Sequence, residues 1–175
     1  MERLIVDGYN MIFAWPELAA LKDAKLEDAR DVLVAILADY AAMTGQKVTV
    51  VFDSHRRPSA EGTEQQVSGI QVVYSGRGAS ADHVIERLVY EARSSDEVTV
   101  ATSDALQRDI ALGKGVKTVS ALVLKAQVEA ALAGRDVQIN DRKARSDLSR
   151  RLEDRLDPKT RERLDRFRRG QEPGG

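Results

Sequence analysis

Four aspartates lie where the predicted strands of this sequence end. Asp7, Asp53 and Asp104 come after the first, second and fourth strands, and Asp82 opens the helix that follows the third. Because the carboxyl ends of parallel strands meet at one edge of a sheet, we expect these carboxylates to converge there. Neighbouring carboxylates repel one another unless a cation lies among them or protons are taken up. A single aspartate after a strand is commonly only a turn former or a helix cap, and that alternative stays open at each position.

The type of these side chains indicates which ion they suit. Oxygen ligands without histidine or cysteine are preferred by hard cations such as Mg²⁺ and Mn²⁺. One or two such ions can activate water and stabilise an in-line displacement at phosphorus. The aspartates therefore predict a Mg²⁺ or Mn²⁺ site that acts on a phosphate ester. Neither His55 nor His83 is predicted as a ligand.

Three polar residues near the aspartates are candidates for a supporting role. Asn10 can bind a metal-bound water or hold Asp7, and it can equally well cap the next helix. Ser103 can hydrogen-bond a phosphate or a carboxylate, and capping the following helix is its alternative. Glu86 lies one turn after Asp82 on the same predicted helix face, where it can add a further carboxylate or pair with a nearby arginine.

Basic and aromatic residues near the aspartates are candidates for contact with a nucleic-acid strand. Arg56 and Arg57 follow the second strand, and Arg77 lies in the glycine-containing loop before Asp82. Each of these arginines can contact a phosphate, although an exposed arginine is often merely solvated. Tyr9 and Trp15 can stack on an unpaired base, while a packed corner is the alternative for Trp15.

The hydrophobic pattern predicts strands and helices in alternation. Short apolar, β-branched runs predict strands at residues 3–6, 47–52, 70–74, 97–101 and 116–119. Helical spacing predicts helices at residues 24–44, from 80 to about 92, from 104 to 112, and from 121 to 133 with Gly134 as the stop. Residues 54–68 are polar and lack a period, which predicts a loop. This order is typical of an α/β fold with a mainly parallel sheet of about five strands and helices on both faces.

Charge divides the chain into a body and a tail. From residue 141 to 175 there are 12 Lys/Arg and 8 Asp/Glu, whereas the whole chain carries 27 basic and 28 acidic residues. We therefore predict a net-acidic domain at residues 1–140, a basic, charged helical extension at 141–170 and a disordered tail at 171–175. Pro158 should divide the extension into two short helices. Arg168 and Arg169 are candidates for contact with ribosomal RNA on charge alone.

The composition excludes several classes of protein. The chain of 175 residues contains no cysteine, which excludes a disulfide framework, a thiolate zinc site and a cysteine nucleophile. No apolar run is long enough to cross a bilayer, and the N-terminus lacks the pattern of a signal peptide. We therefore expect a cytoplasmic protein with no membrane partner and no small-molecule cofactor.

Short motifs surround each of the aspartates. They are Asp7-Gly8-Tyr9-Asn10, the run Ile-Phe-Ala-Trp-Pro-Glu-Leu at 12–18, Val51-Phe52-Asp53, Gly78-Ala79-Ser80-Ala81-Asp82 and Thr102-Ser103-Asp104. In order and spacing they resemble the motifs of the YacP-like branch of the NYN domains, a group of PIN-like nucleases. The resemblance covers roughly residues 2 to 170. It implies a single PIN-like domain.

The resemblance also implies a chemistry. Asp7, Asp82 and Asp104 match the acidic positions of the family motif, which implies metal-dependent cleavage of RNA, and Asp53 matches a further family aspartate. The family includes a bacterial endoribonuclease that cuts messenger RNA in the ribosomal A site, which implies the ribosome as a partner. Leu106 departs from the family pattern of an acidic or polar residue, so no role is carried over to that position.

Three functional hypotheses follow. The first is a metal-dependent endoribonuclease that acts on messenger RNA, with the ribosome as a partner. The second is a catalytically weak RNA- or ribosome-binding module of the same fold, against which the intact set of acids argues. The third, a phosphohydrolase or phospho-acceptor domain, lacks its own motif, because position 9 is Tyr where a haloacid-dehalogenase-like enzyme would need the second aspartate.

Overall fold

The computed structural model of the protein describes residues 1–94, 96–154, 158–159 and 162. The strands are β1 (Glu2–Asp7), β2 (Lys47–Phe52), β3 (Glu64–Val67), β4 (Ile70–Tyr74), β5 (Glu97–Ala101) and β6 (Lys117–Val119). The α-helices are α1 (Gly8–Ala14), α2 (Pro16–Ala24), α3 (Leu26–Thr44), α4 (Ala81–Glu91), α5 (Ala105–Gly113) and α6 (Ala121–Asp154). Two single-turn 3₁₀ helices, Ser54–Arg56 and Pro58–Ala60, follow β2.

The strands form one six-stranded sheet in the order β3-β4-β2-β1-β5-β6. All neighbouring pairs are parallel except β3 and β4. The chain builds the sheet outward from β1 on the β2 side and then returns to build the β5 side, so the strand order reverses at β1. In open α/β sheets, such a reversal creates a crevice at the carboxyl ends of the strands, and ligands bind there.

Alternating side chains of the strands form cores on both faces of the sheet. Leu4 and Val6 pack with α1, α2, α3 and the beginning of α6, whereas Ile5 packs with α4 and α5. A strand buried on both faces must be apolar throughout, which explains the continuous apolar run of β1 and the β-branched run of β2. The α/β architecture predicted from the sequence is confirmed.

The segment between β2 and β4 corrects the predicted loop at residues 54–68, because it contains the edge strand β3. The side chains of Glu64, Gln65 and Gln66 are exposed, so the strand lacks the apolar alternation that marks a buried strand. Ser68 and Gly69 have φ of 50° and 89°, the left-handed conformation that both central residues of a tight hairpin turn adopt. The sheet therefore has six strands where about five were predicted.

The C-terminal ends of two helices compare differently with the sequence prediction. α3 ends at Thr44, as predicted, where Gly45 follows with a φ of 73°. Gly134, in contrast, does not end a helix, since α6 continues to Asp154. A glycine inside a helix costs only about 1 kcal/mol relative to alanine, and the good helix formers around it outweigh that cost.

The chain divides into two compact units, Met1–Ala133 and Gly134–Gly175. Residues 155–157, beside the break predicted at Pro158, lie outside the described residues, as do Arg168, Arg169 and the tail from 171. Within the described part of the chain, no helix is long and apolar enough to cross a membrane.

Candidate active site

Asp7 and Asp53 lie at the carboxyl ends of adjacent strands, and each caps the turn that follows it. The carboxylate of Asp7 accepts a hydrogen bond from the backbone N–H of Asn10 at 3.3 Å and thereby caps α1. Asp53 accepts the backbone N–H of His55 at 2.9 Å, and its Oδ1 lies 2.6 Å from Nδ1 of the same histidine. Both aspartates therefore serve as caps and also present a carboxylate to the same edge of the sheet.

Asp82 and Asp104 approach this edge from the other face of the sheet. Asp82 lies in the first turn of α4, whose N-terminus Ser80 caps by accepting a hydrogen bond from the backbone N–H of His83. Asp104 caps α5 and accepts a hydrogen bond from the backbone N–H of Leu106 at 2.9 Å. With Ser80 as its N-cap, α4 therefore begins within one residue of the helix start that the sequence predicted at residue 80.

The electrostatics of Asp7 show that the acids lie near one another. Burial raises the pKa of Asp7 from 3.8 to about 6, and the hydrogen bond from the Asn10 N–H opposes this rise only in part. The negative charges of Asp82, Asp104 and Asp53 raise the pKa further. Asp7 therefore interacts electrostatically with the other three carboxylates at this edge of the sheet.

The other two shifted carboxyls respond to different surroundings. Burial and the charge of Asp104 raise the pKa of Asp82 above its usual value. Burial also acts to raise the pKa of Asp53, but the hydrogen bonds from His55 and the charge of its imidazolium form outweigh it, so this pKa is lowered. Asp53 is therefore ionised at a lower pH than either Asp7 or Asp82.

The four aspartates have the oxygen donors that a hard cation prefers, but their side chains are not arranged to hold one. A group of carboxylates at one edge offers the oxygen donors that Mg²⁺ and Mn²⁺ prefer. Within residues 1–94 and 96–154, no group of three or more Asp, Glu or His side chains is arranged to hold a metal ion. Asp53, Asp82 and Asp104 instead accept hydrogen bonds from donors around them. Chelation would therefore require these carboxylates to rotate towards Asp7.

Asn10 and Ser103 connect the loops around the acids rather than capping helices. Oδ1 of Asn10 accepts the backbone N–H of Ser103 at 2.8 Å, across 93 residues of sequence. Oγ of Ser103 in turn accepts the backbone N–H of Ala121 at 3.1 Å, at the start of α6. The capping alternatives for both residues are wrong, since Asp7 and Asp104 cap those helices. The two side chains hold together the loops that carry these aspartates.

Trp15 completes this corner of the molecule. Its side chain is 3% exposed, and its indole N–H donates to the carbonyl of Ala121 at 2.8 Å. A ring with both faces buried cannot stack on a base, so that expectation for Trp15 is corrected. The alternative from the sequence, a packed corner, is what the structure shows.

Tyr9 is also a core residue. It is 6% exposed, its ring packs edge-on against Phe52 at 5.1 Å between centroids, and its hydroxyl accepts a hydrogen bond from the buried Arg30 at 3.0 Å. The expected stacking of Tyr9 on a base is therefore corrected as well. The polar partner of Tyr9, Arg30, is 21 residues away, so the local sequence does not show that Tyr9 is buried.

Gly8 allows α1 to begin directly after Asp7. A Cβ at position 8 would lie 2.3 Å from Cε1 of Phe52, which is far inside van der Waals contact. Only glycine permits the backbone to come this close to the ring. The Asp-Gly step of the motif therefore sets the distance between the Asp7 carboxylate and the β2 strand.

The predicted RNA-contacting arginines lie at the same edge of the sheet. Arg56 is exposed, and its guanidinium lies 4.8 Å from the ring centroid of Phe13. Arg57 is partly buried and donates to the hydroxyl of Tyr74 at 3.0 Å. Arg77 is exposed in the loop between β4 and α4. Phe13, which sequence reasoning missed, is 43% exposed beside Arg56.

The residue that contacts Asp82 from a neighbouring helix is Gln107 and not the predicted Glu86. Glu86 forms an ion pair with Lys114 at 3.5 Å, so its structural partner is a lysine. Gln107, 6% exposed, donates from Nε2 to Oδ1 of Asp82, and its Oε1 has no hydrogen-bond partner. Gln107 is a site residue that sequence reasoning missed; the available signal was its place three residues after Asp104, on the helix that Asp104 caps.

A groove between α4 and α5 begins beside Asp82. It has a volume of about 250 Å³, and its walls include Ile85, Val89, Leu106 and Ile110. Leu106, an apolar residue at a position where the resemblance led us to expect an acidic or polar one, is 68% exposed at the rim of this groove.

Comparison with known proteins agrees with the fold. Residues 4–169 match the model of the YacP-like NYN domain. The chain is 39% identical to protein YacP of Bacillus subtilis strain 168 over 130 residues, which cover 74% of this chain and 76% of that protein.

Solved structures extend the similarity over nearly the whole chain. The crystal structure of Rae1 (YacP) from Bacillus subtilis is 32% identical, with a TM-score of 0.74 over 97% of this chain and 96% of that one. Its W164L mutant matches with a TM-score of 0.73, at the same identity, over 94% of this chain and 98% of that one. The chain therefore belongs to the YacP-like NYN domain family, whose domain has a PIN-like nuclease fold.

Proposed function

We propose that the protein is a metal-dependent endoribonuclease that hydrolyses phosphodiester bonds of RNA. The observation that carries the proposal is the partly buried Asp7 carboxyl, whose pKa is raised to about 6 among three further aspartates at the strand-order reversal. Titratable groups with shifted pKa values cluster at functional sites, and this site lies where an open α/β sheet binds ligands.

The residues divide the work according to their positions. Asp7, Asp82 and Asp104 would hold Mg²⁺ or Mn²⁺, with Asp53 as a further ligand from β2. When bound, such an ion activates water and stabilises charge on the reacting phosphate. Asn10 keeps the loops of Asp7 and Asp104 at a fixed separation through the Ser103 backbone. Gln107 orients Asp82, while Glu86 contributes negative charge from α4.

Contact with the RNA backbone belongs to arginines on the β2 side of the acids. Arg56 and Arg77 are exposed there, and Arg57 is partly exposed. Arginine binds phosphate through paired N–H donors, and each such contact adds a salt-dependent contribution to affinity. These residues would hold a strand so that one of its phosphates reaches the acids.

The proposed substrate is messenger RNA, with the ribosome as a partner in the cytoplasm. Family resemblance supports this, as does the surplus of basic residues after position 141, where 12 Lys/Arg accompany 8 Asp/Glu. Arg168 and Arg169 are the proposed contacts with ribosomal RNA.

Cleavage assays with a matched variant test the proposal. Wild-type protein is incubated with translating ribosomes and separately with naked RNA, in Mg²⁺ or Mn²⁺ and in EDTA, and the RNA ends are mapped. We expect metal-dependent cuts that Asp7→Asn abolishes, because a neutral amide lacks the charge that a cation requires. Millimolar Mg²⁺ or Mn²⁺ should also raise the Tm of the wild type more than that of Asp82→Asn or Asp104→Asn.

The same assays separate the alternatives. RNA or ribosome binding without metal-dependent cuts would support the catalytically weak binding module instead. Full cleavage by folded Asp7→Asn would exclude the assigned role of that carboxylate.

A further inference from the structure

Phe13 is exposed at the edge of the sheet that carries the acids. It lies in α1, which begins immediately after Asp7, and its side chain is 43% exposed. Among the aromatic side chains within residues 1–94 and 96–154, the exposed ones are Phe13 and Tyr90. Six residues of helix advance about 9 Å, so Phe13 lies close enough to Asp7 for one RNA strand to reach both.

Two cations lie against the Phe13 ring. The guanidinium carbon of Arg56 is 4.8 Å from its centroid, and Nζ of Lys22 is 5.3 Å from it. Arg56 also lies 5.6 Å from the ring centroid of Tyr9. The side chain of Arg56 is exposed, so its outer face and the free part of the Phe13 ring both meet solvent.

A row of packed rings supports this pair from below. Phe13 stacks on Tyr9 at 6.1 Å between centroids, Tyr9 packs on Phe52 at 5.1 Å, and Phe52 stacks on Tyr74 at 5.4 Å. The last three rings are buried. The exposed ring therefore rests on a rigid base, and little side-chain entropy remains to be lost when a ligand binds.

We propose that Phe13 and Arg56 form a subsite that binds an unpaired base of single-stranded RNA, with Lys22 close enough to contact the backbone. This inference rests on the proposed function and assigns part of its substrate recognition. Aromatic rings and guanidinium planes both stack on bases, and every base offers such a face, so the subsite is tolerant of sequence. The adjacent cations attract the phosphates on either side of the stacked base.

Binding in a cleavage-deficient background tests the subsite. The Kd of a fluorescently labelled, unstructured RNA oligonucleotide is measured by anisotropy with Asp7→Asn protein, which keeps the RNA intact. We expect Phe13→Ala to weaken binding roughly tenfold, as the loss of one base–aromatic stack does. Phe13→Leu should lose as much, because it keeps apolar volume but lacks a ring, whereas Phe13→Trp should bind at least as tightly as the parent.

Tyr90 offers a matched control. It is 80% exposed and lies 4.7 Å below Nζ of Lys114, so it too is an exposed ring with a cation. Tyr90 lies near the end of α4, which begins at the acid edge and runs away from it. Tyr90→Ala should leave the Kd unchanged.

Two further binding measurements distinguish the contribution of base stacking from that of charge. Arg56→Lys keeps the charge but loses the plane, so it should fall between the parent and Phe13→Ala. An abasic oligonucleotide of equal length should bind the parent and Phe13→Ala equally. The inference is overturned if Phe13→Leu binds like the parent, or if Tyr90→Ala loses as much as Phe13→Ala. Because binding is measured without cleavage, a failure of the proposed catalysis leaves this result unaffected.

Discussion

The carboxyl group of Asp7 is partly buried at the end of β1, and its surroundings favour the protonated form. Burial and three neighbouring negative charges together raise its pKa to about 6, against the opposing hydrogen bond from Asn10. A group in this condition costs stability when ionised and gains from a bound cation, which is the electrostatic condition of a metal-binding carboxylate.

This raised pKa predicts a pH dependence of stability. Because the folded state holds the Asp7 proton up to about pH 6 and the unfolded state releases it near 3.8, stability falls as pH rises through that window. The contribution is at most about 3 kcal/mol. In Asp7→Asn it is absent, so the variant should be the more stable protein above pH 6 and should lose this advantage near pH 4.

Urea denaturation of both proteins from pH 4 to 8 in EDTA measures the difference. The pKa of Asp82 is also raised and that of Asp53 is lowered, so both carboxyls contribute to the pH dependence of stability. Because both are present in each protein, their contributions largely cancel when the two proteins are compared. A constant difference in the free energy of unfolding at every pH would contradict the prediction.

Gly8 predicts a steric effect at residue scale. Gly8→Ala places a methyl group 2.3 Å from the ring of Phe52, so the ring or α1 must shift. We expect a loss of about 1–3 kcal/mol in the free energy of unfolding, the usual cost of overpacking a core. Gly113→Ala is the control, since its Cβ meets no atom within 4 Å and alanine favours a helix. Equal stability of the two variants would show that the core accommodates the methyl group.

At the scale of elements, the site depends on contacts between segments far apart in sequence. Asn10 in α1 binds the loop before α5, Ser103 in that loop binds the start of α6, and Trp15 binds the same turn of α6. These bonds connect the loops of Asp7 and Asp104 to one rigid corner.

Trp15→Phe tests this corner. The substitution keeps most of the ring but removes the indole N–H that donates to the carbonyl of Ala121. The net loss of one buried hydrogen bond costs about 0.5–1.5 kcal/mol, so we expect a lower Tm. We also expect slower metal-dependent cleavage, because the loop of Asp104 loses an anchor. An unchanged Tm would mean that a water molecule or another donor replaces the indole.

At the scale of the whole molecule, charge is distributed unevenly along the chain. The four acids lie before residue 105, while the segment from 141 holds 12 basic and 8 acidic residues. Capture of an RNA-rich partner and chemistry at the acids therefore depend on different parts of the sequence.

Charge reversal in the tail tests this separation. We expect the double variant Arg168→Glu/Arg169→Glu to co-sediment less with ribosomes at low salt, while cleavage of naked RNA is retained. Association of the wild type should fall steeply as salt rises, since each phosphate contact releases counterions. Equal co-sedimentation of both proteins at every salt concentration would mean that these arginines are only solvated.

The sequence by itself determined the parts of this protein that depend on local pattern. Apolar β-branched runs predict β2 and β4 to the residue, and helical spacing predicts the end of α3 at Thr44. The acidic edge is predicted by three aspartates placed after strands and by Asp82 at the start of a helix. These features depend on residues within one element and on the general rule that parallel strands end together.

The tertiary structure decided which of the neighbouring side chains face solvent. Tyr9 and Trp15 are buried by partners 21 and 106 residues away, while Phe13, between them in sequence, remains exposed beside Arg56. β3 likewise is a strand only because β4 offers it backbone partners, since its own side chains are polar. Burial and edge pairing arise from contacts between distant segments, and no local pattern of residues encodes them.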